Sequence, residues 1–332
     1  MAGNNAALIA LAGAPTNLLL GELLLMWLKY GVAPGGELTG IDGVVRGKTQ
    51  LTCLYCGGGL TAKKGSVKEH HFAHTGETCK PVSQRIKTKA FPSLPLYDSF
   101  NIELKGEELE QLKVLWKEYG ARDYAIPKDL VNFRWQLKGL LESEGSRSYR
   151  FTDLGKIPMG ALPLASFNKV QEPLLKGELV KLERSAAVAL SAGLSCLEER
   201  RADLLIYRSQ LRRILSNSLY FLEVKADGQT FYKIGITTRS ISERIAEVQR
   251  DVRVHYSDVT VNLLGFWESR GNVELYFKHR YKTFNYRIGT LTEYFQFPEV
   301  KAVLNDLYGM EPPALFAGEV DARAKIKSLE LA

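Results

Sequence analysis

The chain has 332 residues, of which 45% are hydrophobic, 10% aromatic and 24% charged. These fractions are ordinary for a folded protein and exclude a disordered, collagen-like or disulfide-stapled chain. Lysine and arginine outnumber aspartate and glutamate by 44 to 37, and the resulting charge of +7 suits a polyanionic partner.

The N-terminal segment is apolar but lacks the pattern of a membrane span. Residues 18–28 are apolar apart from Gly21 and Glu22, whereas a bilayer span needs about 20 consecutive apolar residues. Pro15 and Asn17 interrupt the segment just upstream, and no lysine or arginine precedes it as in a signal peptide. We therefore expect a packed N-terminal element, no membrane partner and a cytoplasmic location.

Three of the four cysteines lie near histidines between residues 53 and 79. Cys53 and Cys56 are separated by two residues, a spacing that lets a tight turn bring two thiolates onto one Zn²⁺ ion. His74 and Cys79 follow at the spacing of a second ligand pair, and His71 is the alternative fourth ligand. The pattern predicts a closed, structural zinc site; the alternative is buried cysteines beside surface histidines.

The same residues resemble the N-terminal zinc module of CoiA-like competence proteins. The resemblance depends on the Cys-x-x-Cys pair, a Lys64-Gly65 turn and the His-Phe-Ala-His run at 71–74, and it covers about residues 25–90. The segment 46–105 holds ten basic and four acidic residues. This excess predicts a phosphate-binding surface that includes Lys63 and Lys64, the alternative being a solvated basic face.

Residues 107–172 alternate helical patterns with one aromatic segment. Leucines at helical spacing predict a helix over 107–119, and Pro127 can open a second helix with an apolar inner face formed by Leu130, Phe133, Leu137 and Leu140-Leu141. The aromatic run 148–153 predicts a strand. Two helices followed by such a hairpin resemble a winged helix, which would present basic side chains to a DNA groove: Lys128, Arg134 and Lys138. A small helical packing domain without a ligand is the alternative.

Leucines recur at intervals of three, four or seven residues from Leu179 to Leu211, with charged residues between them. No proline interrupts residues 174–216. The pattern predicts one long amphipathic helix, which would be either a connecting rod or a two-chain coiled coil. The second alternative predicts a homodimer through residues 179–215.

Residues 218–300 contain short strands and helices separated by turn signals. Two alternating runs, 219–224 and 231–236, flank an Asp227-Gly228 pair and predict a hairpin. Ser240 and Glu243 have the spacing of a capping box, which predicts that a helix starts there. A third strand, a second helix and a closing strand are predicted at 259–266, 273–281 and 292–297.

This segment resembles the GIY-YIG nuclease superfamily, in particular the phage-type members with Lys-Ile-Gly where the name-giving Tyr-Ile-Gly falls. About 80 residues are covered, and the matching positions follow the family's order: Ser218-Leu219-Tyr220, Lys233-Ile234-Gly235, Arg244, Glu274 with His279, and Thr292-Glu293-Tyr294-Phe295. The resemblance implies metal-dependent hydrolysis of a DNA phosphodiester.

The resemblance also implies a role for each of these side chains. Glu274 would hold Mg²⁺ or Mn²⁺, and Arg244 would contact the scissile phosphate through its planar guanidinium. Tyr220 would act as general base on the attacking water. Lys233 and His279 complete the catalytic set. Arg239 is expected to contact nucleic acid together with Arg244.

Strand alternation adds one expectation about Tyr220. Lys233 and Gly235 share one face of their strand, while Tyr232 and Ile234 share the other. If Tyr220 pairs toward the face of Lys233, the ammonium group would lower the pKa of the phenol by charge attraction. A lower pKa would make the tyrosine a better base near neutral pH.

The predicted fold is an α+β multidomain chain. Its segments are a β-rich zinc module at 1–105, a helical or winged-helix-like domain at 106–172, a long helix at 173–217, a small α/β nuclease domain with a central antiparallel sheet at 218–310, and a tail at 311–332. The predicted function is a DNA endonuclease with structural Zn²⁺ and catalytic Mg²⁺ or Mn²⁺, the zinc module positioning the DNA. The alternatives are a DNA-binding protein with a degenerate nuclease fold and a zinc-stapled scaffold for protein contacts.

Overall fold

The computed structural model describes residues 28–34, 38–66, 69–79 and 92–320. It is a mixed α/β structure with several antiparallel sheets, and it divides into two compact units between residues 90 and 91. The predicted N-terminal packed element, apart from Leu28, and the tail beyond residue 320 lie outside the described residues. Among the helices that are described, none combines the length and apolarity needed to cross a bilayer.

The first unit is built on a small antiparallel sheet, in agreement with the predicted β-rich character of this region. Its described strands follow the order β2-β1-β3-β4-β5, with bounds β1 (Tyr30–Val32), β2 (Leu38–Gly40), β3 (Gly47–Thr52), β4 (Gly59–Lys63) and β5 (His71–His74). Leu60 and Phe72 on neighbouring strands form a small core with Leu28, Ile41 and Leu51. The ends of β3 and β5 bring Cys53 and His74 to the same part of the sheet.

The second unit begins with a small helix-and-hairpin region. Its elements are α1 (Gly106–Glu118), β6 (Ile126–Pro127), α2 (Phe133–Leu137), β7 (Leu141–Glu144), β8 (Ser148–Phe151) and α3 (Asp153–Lys156), and its described strands have the order β6-β8-β7. Gly145 (φ +76°) supplies the left-handed backbone that the β7–β8 turn requires. Leu112 and Leu115 of α1 pack against Ile126 and Trp135.

The predicted inner face of the second helix is wrong at three of its five residues; Leu140 and Leu141 are buried as expected, but they follow the helix. Leu130, Phe133 and Leu137 have 43%, 66% and 70% of their surface exposed, whereas Trp135 has 3%. The reason is the length of α2, which spans five residues, so that Leu130 lies before it and Trp135 is the residue of α2 that joins the core with Leu140 and Leu141.

The predicted single long helix is two helices, α4 (Leu164–Ser191) and α5 (Leu197–Leu215). The chain breaks at Gly193, which has a left-handed φ of +59°, and α5 folds back along α4. Leu179 and Leu211 pack in one core between the two helices, and the Tyr207 hydroxyl donates to the Leu175 carbonyl at 2.8 Å. These leucines thus pack within one chain. The sequence pattern does not distinguish this arrangement from a coiled coil, because a helical hairpin and a coiled coil require the same apolar spacing.

The C-terminal sheet has the order β11-β9-β10-β13-β12. Its elements are β9 (Ser218–Ala226), β10 (Gln229–Thr237), α6 (Ile241–Arg253), β11 (Val259–Trp267), α7 (Glu274–Arg280), β12 (Asn285–Ile288), β13 (Leu291–Phe295) and α8 (Val300–Tyr308). The predicted hairpin is confirmed, because Asp227 and Gly228 both have positive φ between β9 and β10. The predicted cap is also confirmed, since the Ser240 hydroxyl accepts from the Glu243 amide at 3.4 Å.

The two faces of this sheet are covered by different parts of the chain. Tyr220 and Phe231 face α6 and pack with Val248 and Val252. Phe221 and Ile234 face the opposite side, which is covered by α7, α8 and residues that precede the sheet in sequence: Ile157, Leu162, Leu164 and Phe167. The predicted alternation along β10 is therefore confirmed, and it places Lys233 and Gly235 on the face of Tyr220.

Candidate functional site

Tyr220 and Arg244 are in direct contact on the α6 face of the sheet. Arg244 lies in the first turn of α6, and its Nε donates to the Tyr220 hydroxyl oxygen at 2.9 Å. Tyr220 is fully buried, and the residue paired with it on the neighbouring strand β10 is Gly235. A Cβ atom at Gly235 would lie 2.3 Å from the Tyr220 hydroxyl oxygen. The glycine therefore leaves the space in which the phenol meets the guanidinium.

The pKa of Tyr220 is raised, contrary to the predicted lowering by Lys233. Burial of the phenol is the largest cause, and the nearby Glu293 and Glu274 carboxylates act in the same direction. Arg244 opposes them through its hydrogen bond and its charge. Lys233 is not a main cause of the Tyr220 shift, and its ammonium group lies 3.1 Å from a Glu293 carboxylate oxygen.

Glu247 orients Arg244, a role that the sequence reasoning missed. Its carboxylate accepts from Arg244 Nη1 at 2.6 Å and from Arg239 Nη2 at 2.9 Å. These two hydrogen bonds hold the pKa of Glu247 at about 2. The i, i+3 spacing from Arg244 on a predicted helix was the available signal. Arg239 is thus tied to the same carboxylate as Arg244, and its side chain is 55% exposed.

A chain of alternating charges connects Glu274 with Lys233. Lys278 Nζ lies 3.0 Å from Glu274 Oε1 and 2.6 Å from Glu293 Oε1, and Lys233 Nζ lies 3.1 Å from Glu293 Oε2. The Lys233 side chain is 7% exposed, and its Nζ also lies 4.7 Å above the centre of the Tyr294 ring. The i, i+4 spacing brings Glu274 and Lys278 together on α7, while β13 supplies Glu293.

Burial and pairing shift the pKa values along this chain in opposite directions. Burial lowers the pKa of Lys233, and Glu293 partly offsets that effect. For Glu293 burial alone would raise the pKa, but Lys278 and Lys233 hold it at about 2. Burial likewise works against the charged form of Lys278, yet Glu274 and Glu293 raise its pKa. Lys278 and Glu293 are therefore both charged at neutral pH.

His279 does not lie with the other predicted catalytic residues. Its Nε2 lies 3.1 Å from the carbonyl oxygen of Ile157 and 3.2 Å from that of Pro158. Its ring stacks on Phe100 with a centroid separation of 4.9 Å. The side chain thus joins α7 to preceding parts of the chain, and we leave it out of the catalytic set.

The cysteine and histidine side chains form a second candidate site in the first unit. Among the described residues, one ligand atom from each of Cys53, Cys56, His74 and Cys79 lies within 4.8 Å of the others. Cys56 Sγ and His74 Nε2 are 3.3 Å apart, and Gly57 adopts a φ of +69° in the turn after Cys56. Three sulfurs and one imidazole nitrogen at these separations fit the tetrahedral shell of Zn²⁺, with bonds of about 2.0 to 2.3 Å.

His71 lies outside this cluster. Its Nδ1 faces the carbonyl oxygen of Glu69 at 2.7 Å. Backbone amides support the cluster sulfurs instead, from Tyr55 to Cys53 Sγ and from Gly58 to Cys56 Sγ at 3.4 Å. Burial raises the pKa of the Cys53 thiol to about 12. The geometry therefore favours His74 over His71 as the fourth ligand.

The basic residues Lys63 and Lys64 line a surface cleft of about 570 Å³. Arg46, Ser66 and His71 also line it, together with the acidic Glu69. Lys63 is exposed, whereas Lys64 Nζ donates to the Asp42 carbonyl oxygen at 3.1 Å. The cleft combines cationic and hydroxyl groups, which are the groups that contact a phosphate backbone.

Residues 217–308 match the family model of the T5orf172 domain, a nuclease-like domain. The match begins one residue before β9 and ends at the last residue of α8. It thus includes Tyr220, Arg244, Glu274 and Glu293. No curated protein and no solved structure matches the chain.

Proposed function

We propose that the protein is a metal-dependent endonuclease that hydrolyses DNA phosphodiesters at the Tyr220–Arg244–Glu274 site. One observation carries the proposal: Arg244 Nε donates to the Tyr220 hydroxyl at 2.9 Å inside a segment that matches a nuclease-like domain. The Glu274 carboxylate is close enough to raise the pKa of Tyr220 through its charge. We assign the site to the GIY-YIG type on the motifs at 218–220, 233–235 and 292–295. A nuclease-like domain implies a nucleic acid substrate.

Arg244 binds the scissile phosphate in this proposal. Its Nη1 is held by Glu247 and its Nε by Tyr220, so the plane of the guanidinium is fixed before substrate arrives. A fixed planar cation binds phosphate oxygens with little loss of side-chain entropy. The Tyr220 hydroxyl accepts from Arg244, so its own proton remains available for a water or a phosphate oxygen that substrate brings to it. Loss of that proton makes Tyr220 the general base.

Glu274 holds the divalent cation. A carboxylate with Glu293 close by has the oxygen donors that Mg²⁺ and Mn²⁺ prefer, and the 43% exposure of the Glu293 side chain leaves room for water ligands. When bound, the ion would stabilise negative charge on the phosphate and on the leaving oxygen. Lys233 supplies a buried positive charge on the same face of the sheet as Tyr220.

The remaining segments position the substrate. Cys53, Cys56, His74 and Cys79 would hold a structural Zn²⁺, which makes the first unit a CoiA-like zinc module. We assign phosphate contacts to Lys63 and Lys64 in that module and to Arg239 beside the catalytic site. The strand order β6-β8-β7 after α1 supports a winged-helix-like domain at 106–172. The cysteine usage supports a reducing, cytoplasmic setting.

A plasmid-nicking assay with Mg²⁺ or Mn²⁺ tests the activity. We expect the wild type to relax supercoiled DNA, and Glu274→Gln to lower the rate by about a hundredfold or more, because the cation loses its carboxylate. Glu268→Gln is the matched control, since this exposed glutamate undergoes the same change outside the site. Intact plasmid that is still retarded on a gel would instead support the inactive DNA-binding alternative.

A salt titration tests the role of the zinc module. Lys63→Met should weaken DNA binding and reduce the dependence of log affinity on log salt concentration by about one phosphate contact. Lys176→Met, a change of the same kind on α4, should leave both quantities unchanged. If log affinity depends on log salt concentration equally in the wild type and in Lys63→Met, Lys63 does not contact DNA.

A further inference from the structure

The ammonium group of Lys278 occupies a point between two carboxylates. Its distances to Glu274 Oε1 and Glu293 Oε1 are 3.0 Å and 2.6 Å. The Lys278 side chain is 24% exposed and that of Glu274 is 12% exposed, so solvent screens this contact only in part. A divalent cation bound to Glu274 would lie within a few ångströms of this ammonium.

Two cations cannot share this carboxylate without strong repulsion. The energy between a divalent ion and an ammonium is twice that between two monovalent ions at the same distance, and partial burial increases it further. Either the lysine leaves Glu274 or the cation binds weakly. The arrangement of charges around Lys278 decides between these outcomes.

Glu293 gives Lys278 a second partner besides Glu274. Its other oxygen, Oε2, is held by Lys233 at 3.1 Å, and the burial of Lys233 fixes that contact. Lys278 can therefore release Glu274 and remain paired with Glu293. No buried charge is left without a partner in that movement.

We propose that Lys278 is an internal competitor for the divalent cation at Glu274, and that Glu293 is the positioning residue that draws Lys278 away when the cation binds. The inference rests on the proposed function for the assignment of Glu274 as the cation's carboxylate. The exchange sets how much Mg²⁺ or Mn²⁺ the site requires. Until the cation arrives, Lys278 holds the Glu274 carboxylate in position.

Binding of Mn²⁺ to the zinc-loaded full chain, followed by the electron paramagnetic resonance signal of free Mn²⁺, tests the exchange without any DNA. Lys278→Met should tighten binding by about tenfold, because the competitor is removed. Lys282→Met is the matched control, since it removes an exposed positive charge four residues further along the chain and should not change the affinity. Glu274→Gln should abolish binding at this site.

Glu293→Gln should have the opposite effect and weaken Mn²⁺ binding by about tenfold, because Lys278 then relies on Glu274 alone. The double variant Lys278→Met/Glu293→Gln separates the positioning role from a direct one. If Glu293 acts through Lys278, its substitution has little further effect once Lys278 is absent, so the two changes are not additive. Equal weakening in both backgrounds would overturn the positioning role.

The exchange is overturned if Lys278→Met binds Mn²⁺ no more tightly than the wild type, or if neither protein binds Mn²⁺ at Glu274. These results differ from a failure of the proposed function. A wild type that binds Mn²⁺ through Glu274 and exchanges Lys278, yet leaves plasmid intact, keeps the exchange and refutes the nuclease. Cleavage with no effect of Lys278→Met on Mn²⁺ affinity keeps the nuclease and refutes the exchange.

Discussion

Gly235 is the residue whose smallness matters most for the candidate site. An alanine there would place its methyl group 2.3 Å from the Tyr220 hydroxyl oxygen, so the phenol would have to move away from Arg244. We expect Gly235→Ala to reduce cleavage at least tenfold and to lower the free energy of unfolding by about 1–3 kcal/mol. Nicking rates and thermal unfolding of the same preparation measure both effects.

Gly177→Ala is the control for that substitution. Gly177 lies within α4 with no neighbouring atom within 4 Å of an added Cβ, so the same change should stabilise the helix by about 1 kcal/mol. Its cleavage rate should equal that of the wild type. Unchanged cleavage by Gly235→Ala would mean that contact between Tyr220 and Arg244 is not required.

The raised pKa of Tyr220 predicts how the rate depends on pH. A phenol with a pKa above its ordinary value of 10 is almost fully protonated at neutral pH, and its phenolate increases tenfold with each pH unit. If the phenolate is the base, the logarithm of the cleavage rate should rise with a slope of about one between pH 7 and 9. Tyr220→Phe should remove this slope, and a flat wild-type profile would exclude Tyr220 as the base.

The residues that the sequence could predict are those with a motif or a strand register. Alternation along β10 correctly placed Lys233 on the face of Tyr220, but it could not indicate which carboxylate would take the ammonium. Glu293 lies sixty residues away in sequence, and only the folded sheet brings the two together. The contacts of His279 with Ile157 and Pro158 depend likewise on packing between distant segments.

At the scale of elements, strands β1 to β5 form a sheet whose core is small among the residues that the structure describes. Cys53 is part of that core, which joins the metal cluster to the packing of Leu60 and Phe72. We therefore expect a zinc chelator to unfold residues 28–79, because structural zinc contributes about 10–16 kcal/mol in small domains. The sheet of β9 to β13 should remain folded, as amide spectra of the treated protein would reveal.

Substitution of single cysteines tests the same prediction without a chelator. Cys56→Ser should lower the zinc content, which we expect to be one ion per chain, and should produce the same loss of structure. Cys196→Ser changes a cysteine at the start of α5, outside the cluster, and should retain the full zinc content. Equal zinc content in both variants would contradict the four-ligand site.

The sequence predicted the helices better than it predicted their packing. The spacing of leucines from 179 to 211 correctly indicated helix, yet it carries no information on whether the opposing apolar face belongs to the same chain. The break at Gly193 decides the matter, because a left-handed residue ends α4 and allows α5 to return. A lone glycine in a long apolar pattern was too weak a signal to predict that turn.

At the scale of the whole molecule, the segment 217–308 does not complete its own core. The sheet face of Phe221 and Ile234 is covered in part by residues 157–167. The Tyr276 hydroxyl donates to the Leu162 carbonyl at 2.9 Å and accepts from the Leu162 amide at 3.1 Å. We expect the fragment 217–308 to lack a cooperative thermal transition, whereas the fragment 92–320 should unfold cooperatively.

Circular dichroism melting of the two fragments checks that expectation. Full-length Tyr276→Phe gives an independent measure, because it leaves two buried backbone groups of Leu162 without a partner and should cost about 2 kcal/mol of stability. A fragment 217–308 that melts as sharply as the longer one would show that the cover at 157–167 is dispensable.

The shared core has a consequence for inheritance. A recombination event with its crossover at codon 217 would transfer the phenol, the guanidinium and the carboxylates, but it would leave behind the apolar cover supplied by residues 157–167. The recipient gene would have to encode a replacement cover of matching shape. In proteins that have exchanged this domain, the segment before the crossover should therefore supply a few apolar side chains of similar total volume. We expect that similarity even where the rest of the upstream sequence differs.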